Sequence, residues 1–253
     1  DVEMYTTLDA ELNLIKSSYQ KYLLPDEIPA GFAVFNGETR YLLHPRDHET
    51  GLTYRLLPFI RSMIAKLTNE HQNQSYLSII KTHLMFPDGV RLMDQPVTYL
   101  GGLKNNFNRA ETAANFGREI GLMYVHAHIR YIEALYEVGL YDEAYEAILK
   151  IHPIKLIDTV KHALPRQRNT YFSSSDGCFI DRYQAKESFH QLKTGVMPVK
   201  GGWRVYSSGP GIFIHQMIVN LFGIQRLHKK HIQNPKLPKH LKDLQISIKK
   251  ETR

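Results

Sequence analysis

Ser207 and Ser208 stand directly before Gly209-Pro210-Gly211, and an apolar run follows from residue 212 to 224. Small residues leading into a proline describe the entrance of a helix, with Pro210 in its first turn. The exposed N–H groups and the helix dipole there attract an anion such as phosphate. Two adjacent hydroxyls would add donors to the same place. A serine that simply caps the helix is the simpler explanation of the same residues. Neither G-x-x-x-x-G-K-[ST] nor G-x-S-x-G occurs, so the entrance is not a nucleotide P-loop or a nucleophile elbow. Cys178 has no basic neighbour in sequence to activate it and reads as a packing residue.

A second group of reactive side chains lies in FGREIGLMYVHAHIRYIEALYEVGL, residues 116–140. Its periodicity predicts one long, largely buried helix. Arg118, Glu119, Tyr124, His126, His128, Arg130 and Glu133 are a heavy polar load for such a helix. On a continuous helix Glu119, His126 and Glu133 share one stripe at intervals of about 10 Å, as in one wall of a polar cleft. Internal salt bridges and hydrogen-bonded core histidines account for the load equally well. His126 and His128 would point about 200° apart and could not share a metal ion, and there is no HExxH.

These segments need a scaffold. Residues 11–24, 53–67, 70–84 and 141–151 carry helical spacing, the last two arms of 116–151 forming an antiparallel hairpin. GFAVF and TRYLLH, separated by NGE, predict a short β-hairpin. Residues 87–102 are expected to form a long ordered loop, and 164–200 to be mostly loop with a turn at SSSDG. Helices predominate, without a fixed repeat.

The 253 residues are 43% hydrophobic and 23% charged, ordinary for a globular protein. One cysteine excludes an internal disulfide framework. The formal charge is +7, but from Arg226 onward nine Lys or Arg face only Asp243 and Glu251, so this tail carries the whole excess. The motif-bearing region is neutral, and no nucleic-acid motif accompanies the tail; a nucleic-acid partner is not expected. No apolar run is long enough to span a membrane, and the first residues lack the pattern of a signal peptide. A cytoplasmic location, and a chain entered partway through, are the expectations.

The order REIGLMYVHAHIRYIEALYEVGLYDEAYEAILKIHP, SSDGCFIDRY, GGWRVYSSGPGI resembles glycoside hydrolase family 94, the inverting glycoside phosphorylases. The family's R-E-N-G-G-Q-Y-T-H-A matches residues 118–127, keeping Arg118, Glu119, Gly121, Tyr124, His126 and Ala127. Its G-G-W-T-W-Y-T-G-S-A-G-W matches 201–212, keeping Gly201, Gly202, Trp203, Tyr206 and Gly211. The wording of residues 42–62 and 86–96 is most similar to members acting on β-1,2-linked oligoglucans.

The resemblance implies part of an (α/α)6 toroid over 1–225 and the start of a β-rich C-terminal domain over 226–253. It implies phosphate held by His126 and by Ser207 and Ser208, where the family has Thr-Gly; Ser208 in place of glycine is a departure. Arg118, Glu119, Tyr124 and Trp203 would serve the sugar cleft, with Asp181, Arg182 and Tyr183 as further candidates. No cofactor is implied, since inorganic phosphate is a substrate and attacks the anomeric carbon of a β-glucan as an acid protonates the leaving oxygen. The family's general acid lies in a G-D-W-N-D-type motif, and no Asp-Trp pair occurs here. The expected partners are therefore an oligosaccharide, phosphate and the missing N-terminal portion of the enzyme, with a homodimer left open. A non-catalytic carbohydrate- or phosphate-binding remnant is the alternative.

Overall fold

The computed structural model describes residues 2–113, 123–154, 156–164, 171–202, 208–227 and 230–241, and the fold is mainly helical with small antiparallel sheets. Helix α1, Val2–Leu23, ends where Pro25 begins a short 3-10 turn. Strands β1, Phe32–Asn36, and β2, Glu38–Leu42, pair as the expected hairpin about Gly37. Helix α2, Leu56–Ile64, holds Pro58 in its first turn, where the missing N–H costs no intrahelical bond. Helix α3, Glu70–Ile79, starts at a reciprocal capping box between Asn69 and Gln72 and runs on through a π-helical turn at Ile80–Leu84.

Two-residue strands β3, Met85–Phe86, and β4, Gly89–Val90, then fold back on each other, so the loop expected at 87–102 begins with a strand. Helix α4, Asn108–Thr112, closes that loop. Strand β5, Met123–Tyr124, leads directly into α5, Val125–Glu137. The helix expected over 116–140 is thus corrected: Met123 and Tyr124 pair with another strand, and their extended backbone ends any continuous stripe from Glu119 to His126. Helix α6, Tyr141–Leu149, completes the expected hairpin with α5, and α7, Leu156–Thr159, follows.

The segment 164–200 is also more regular than expected. It contains β6, Ser174–Gly177, α8, Arg182–Ser188, α9, His190–Thr194, and the start of β7, Val199–Gly202. SSSDG was a turn by composition but is a strand by pairing, because β5 and β7 bond to its two edges. Helix α10, Ser208–His215, continues through a π-helical turn at Gln216–Leu221 into the hairpin of β8, Ile224–Leu227, and β9, Lys230–Gln233. Among the described residues no helix is long and apolar enough to cross a membrane.

Helix α5 is the centre of the core, burying Val125, Ala127, Ile129, Tyr131, Ile132, Leu135 and Tyr136 between α2, α6 and α10. Its one buried imidazole is fully satisfied. His128 Nδ1 accepts from the Val90 N–H at 3.1 Å, and Nε2 faces the Ala147 carbonyl at 2.8 Å. This pairing selects the neutral tautomer with the proton on Nε2, and burial pushes the His128 pKa down to about 4. The unfolded chain therefore binds the extra proton first as pH falls. Stability is full above the ordinary histidine range and is lost on acidification toward the folded value. We expect urea-unfolding stability to fall by about 2 kcal/mol from about pH 7 to about pH 5 through this group. Equilibrium unfolding of His128→Gln should show a shallower slope over the same range.

Candidate functional site

Three stretches that sequence reading singled out meet in one sheet. Strand β6 is central, with Tyr124↔Ser174 on one side and Ser174↔Gly202, Asp176↔Lys200 on the other. Directly paired residues share a face. Met123, Ser175, Gly177 and Val199 therefore line the face sunk in the core, all of them buried. Tyr124, Ser174, Asp176, Lys200 and Gly202 form the opposite, polar face. Gly202 is required there: a Cβ at this position would overlap the Ser174 hydroxyl and stand 3.0 Å from Asp176 Oδ2.

Helix α5 leaves this sheet directly, and α10 packs against α5. The chain turns from Tyr124 into α5, so His126 sits in the first turn, half-buried, its ring lying beside that of Tyr124 with centroids 5.9 Å apart. Burial, followed by the charges of Arg130 and Arg61, holds the His126 pKa below the usual imidazole range. Arg130 is paired with Glu133 at 2.6 Å, but its buried Nε has no partner. The surroundings of His126 are thus electropositive and not fully satisfied.

The second helix is α10, whose first residue is Ser208. Its Gly209 lies against Tyr171, so closely that a Cβ would overlap the phenol hydroxyl. Burial, followed by the nearby Tyr124 hydroxyl, pushes the Tyr171 pKa up to about 12. His126 thus stacks on Tyr124 at the start of α5, Tyr171 packs on Gly209 at the start of α10, and the two helices pack on each other. Arg118, Glu119, Trp203 and Ser207 lie outside the described residues, and of Ser208 only the backbone is described.

Asp181, Arg182 and Tyr183 are placed elsewhere. Asp181 accepts from the Gln184 N–H at 2.8 Å and caps α8. Arg182 is buried and donates to the carbonyls of Ala113 and Val97, each at 2.7 Å, with its guanidinium over Tyr99. Tyr183 is exposed and meets Tyr99 edge-on at 5.6 Å. Arg182 and Tyr183 hold the 97–113 loop, and no described bond or ring contact joins the three residues to His126. The HxH pair also divides: His128 belongs to the core, and His126 is half-buried beside Tyr124.

Sequence reading missed a set of buried polar groups beside the sheet. Arg91, wholly buried, donates through Nη2 to both oxygens of Asp88 at 3.0 Å, while its Nε and Nη1 have no partner. Asp176 is raised above the ordinary carboxylate range by burial, which outweighs Ser174, Arg91 and Lys200, and its Oδ1 is unpartnered. Such a carboxylate, with a hydroxyl beside it, can accept from a hydroxyl group of a ligand. Only the alternation of Ser174 and Asp176 about Ser175 could have signalled it, and the turn-forming composition masked that signal.

No protein-family model matches the chain. Over 249 residues, 97% of its length, the chain is 47% identical to a 1,2-beta-oligoglucan phosphorylase of Listeria innocua serovar 6a. It spans only 23% of that relative's length.

The contact at Gly209 allows the packing of Tyr171 on α10 to be tested. Gly209→Ala should destabilise the fold by about 1–3 kcal/mol through overpacking. Adding Tyr171→Phe removes the oxygen nearest the new methyl and should recover part of the loss in a thermal-denaturation double-mutant cycle. Strict additivity of the two changes would show that Tyr171 does not bridge to α10.

Proposed function

We propose that the chain is one part of an inverting phosphorylase of β-linked glucans, of the glycoside hydrolase family 94 type, and that it supplies the phosphate site. The extent of the likeness to a 1,2-beta-oligoglucan phosphorylase favours the substrate class, and the shared motifs favour an (α/α)6 toroid for the whole. The observation that favours the phosphate assignment is the packing of α5 on α10, with His126 in the first turn of one and Gly209 in the first turn of the other. Burial and the nearby Arg130 and Arg61 charges favour an uncharged His126 imidazole in an electropositive setting.

In this reading Ser207, Ser208 and the first N–H groups of α10 hold phosphate oxygens, and His126 donates from the facing helix. Arg61 and Arg130 supply longer-range positive potential. Phosphate is a nucleophile as it stands, so the protein must aim it and spread its charge rather than deprotonate it. It attacks the anomeric carbon from the face opposite the leaving sugar, giving inverted configuration and α-glucose 1-phosphate. The proton for the leaving oxygen comes from a carboxylic acid outside this chain, which is why the chain alone is expected to be inactive. Arg118, Glu119, Tyr124 and Trp203 line the sugar cleft, Asp181, Arg182 and Tyr183 support its margin, and Asp176 with Ser174 accepts a sugar hydroxyl from the polar sheet face.

Two measurements test this. An anion favours imidazolium, so adding inorganic sulfate, whose charge is constant near neutrality, should raise the His126 pKa in an NMR titration. Binding should accordingly tighten as pH falls, and an unmoved His126 resonance would remove the phosphate assignment. Combined with the remaining part of the relative, β-1,2-linked oligoglucan and phosphate, the chain should yield glucose 1-phosphate. Ser207→Ala should then lower kcat/KM about tenfold or more. Anion binding with no product from the combined parts would leave the non-catalytic remnant standing.

A further inference from the structure

Most of the large apolar residues of helix α1 lie along one seam. Tyr5, Leu8, Leu12, Ile15, Tyr19 and Tyr22 succeed each other at alternating steps of three and four, the a/d spacing of a heptad. The outward positions hold Thr6, Thr7, Ala10, Asn13, Leu14, Ser17, Gln20 and Lys21, with Leu14 the one large apolar side chain among them. No residue of α1 is buried, and residues 2–15 are exposed throughout. Leu8 and Ile15 are 52% and 61% exposed. A helix of this length runs about 33 Å, and most of its seam therefore projects beyond the body.

The other end of the seam is seated. Tyr19 shares a hydrogen bond of 2.6 Å with Ser62 of α2, and Tyr22 meets Phe35 of β1 edge-on at 5.9 Å. Between them opens an apolar groove of about 750 Å³, lined by Leu14, Ile15, Tyr19, Tyr22, Phe35 and Leu67 among others. Seam and groove make one continuous apolar surface, of the kind that marks an interaction site.

We propose that this surface receives a helix from the remainder of the phosphorylase, the part of the Listeria relative that this chain does not match. The proposal rests on the reading of the chain as part of such an enzyme. The likeness covers nearly all of this chain but 23% of the relative, so the matched stretch there sits within a protein roughly four times as long. The three-four seam fits a helix crossing at about 20°, and Asp9, Glu11 and Lys16, flanking the seam, would set its direction. A membrane surface fits poorly: Glu3, Asp9 and Glu11 outnumber Lys16 and Lys21, and the outward face is not basic.

Co-expression of the chain with the unmatched part of the Listeria phosphorylase, followed by affinity capture and light scattering, tests this. A one-to-one complex is expected. Leu8→Asp with Ile15→Asp should reduce capture about tenfold or more while leaving the free chain's melting temperature unchanged, since both side chains are exposed. Asn13→Asp, on the outward face, should capture as well as the unaltered chain. Equal capture by the double variant, or no complex with the unaltered chain, overturns the proposal. So does a self-dimer that the double variant breaks and the second part does not displace. Phosphorolysis is read separately. A seam-dependent complex that makes no glucose 1-phosphate sinks the catalytic reading alone, and product undiminished by the double variant sinks the docking surface alone.

Discussion

The arrangement depends on the pairing of β6 with β5 and β7. The three strands are short, and each comes from a different part of the chain. Their pairing is possible because Gly202 has no side chain to displace the Ser174 hydroxyl. Once β6 is fixed between its neighbours, one face must enter the core and the other must remain polar. The direction in which α5 leaves the sheet follows from that constraint, because Tyr124 of β5 runs straight into its first turn. Local helix propensity alone would have produced a different object, a single rod from 116 to 140 with its polar groups spread along a stripe.

The two histidines of the HxH pair show how position in this arrangement decides chemistry. His128 points inward, where Val90 and Ala147 consume both ring nitrogens and desolvation keeps the ring neutral. His126 is two residues earlier and lies against Tyr124 at the polar edge, with Arg61 and Arg130 near it. The first is a core group with a stability cost on acidification. The second is a neutral donor in a positive field, the setting an anion would relieve.

Much of the helical scaffold was legible in the sequence. The 3.6-residue period located α2, α3 and α6, Pro25 marked the end of α1, and Gly37 lay at the turn of the first hairpin. What was not legible was long-range pairing. Met123-Tyr124 has too few residues to alternate, and SSSDG has the composition of a turn, so neither carries a local sign of the strand it joins. Asp176 was missed for the same reason, since its face is set by Gly202 and Tyr124 far away in sequence. Asp181 caps α8, and the buried Arg182 guanidinium holds the two ends of the 97–113 loop, roles that the motif match did not signal.

The central claim is that His126 and the entrance of α10 hold one anion between them. A crystal structure of the chain grown with inorganic sulfate is its most direct measurement. The expected result is a sulfate within about 3 Å of the His126 ring and of the Ser207 hydroxyl or the first α10 N–H groups. A structure in which His126 and Ser207 stand more than about 10 Å apart, too far to share an anion, would contradict it.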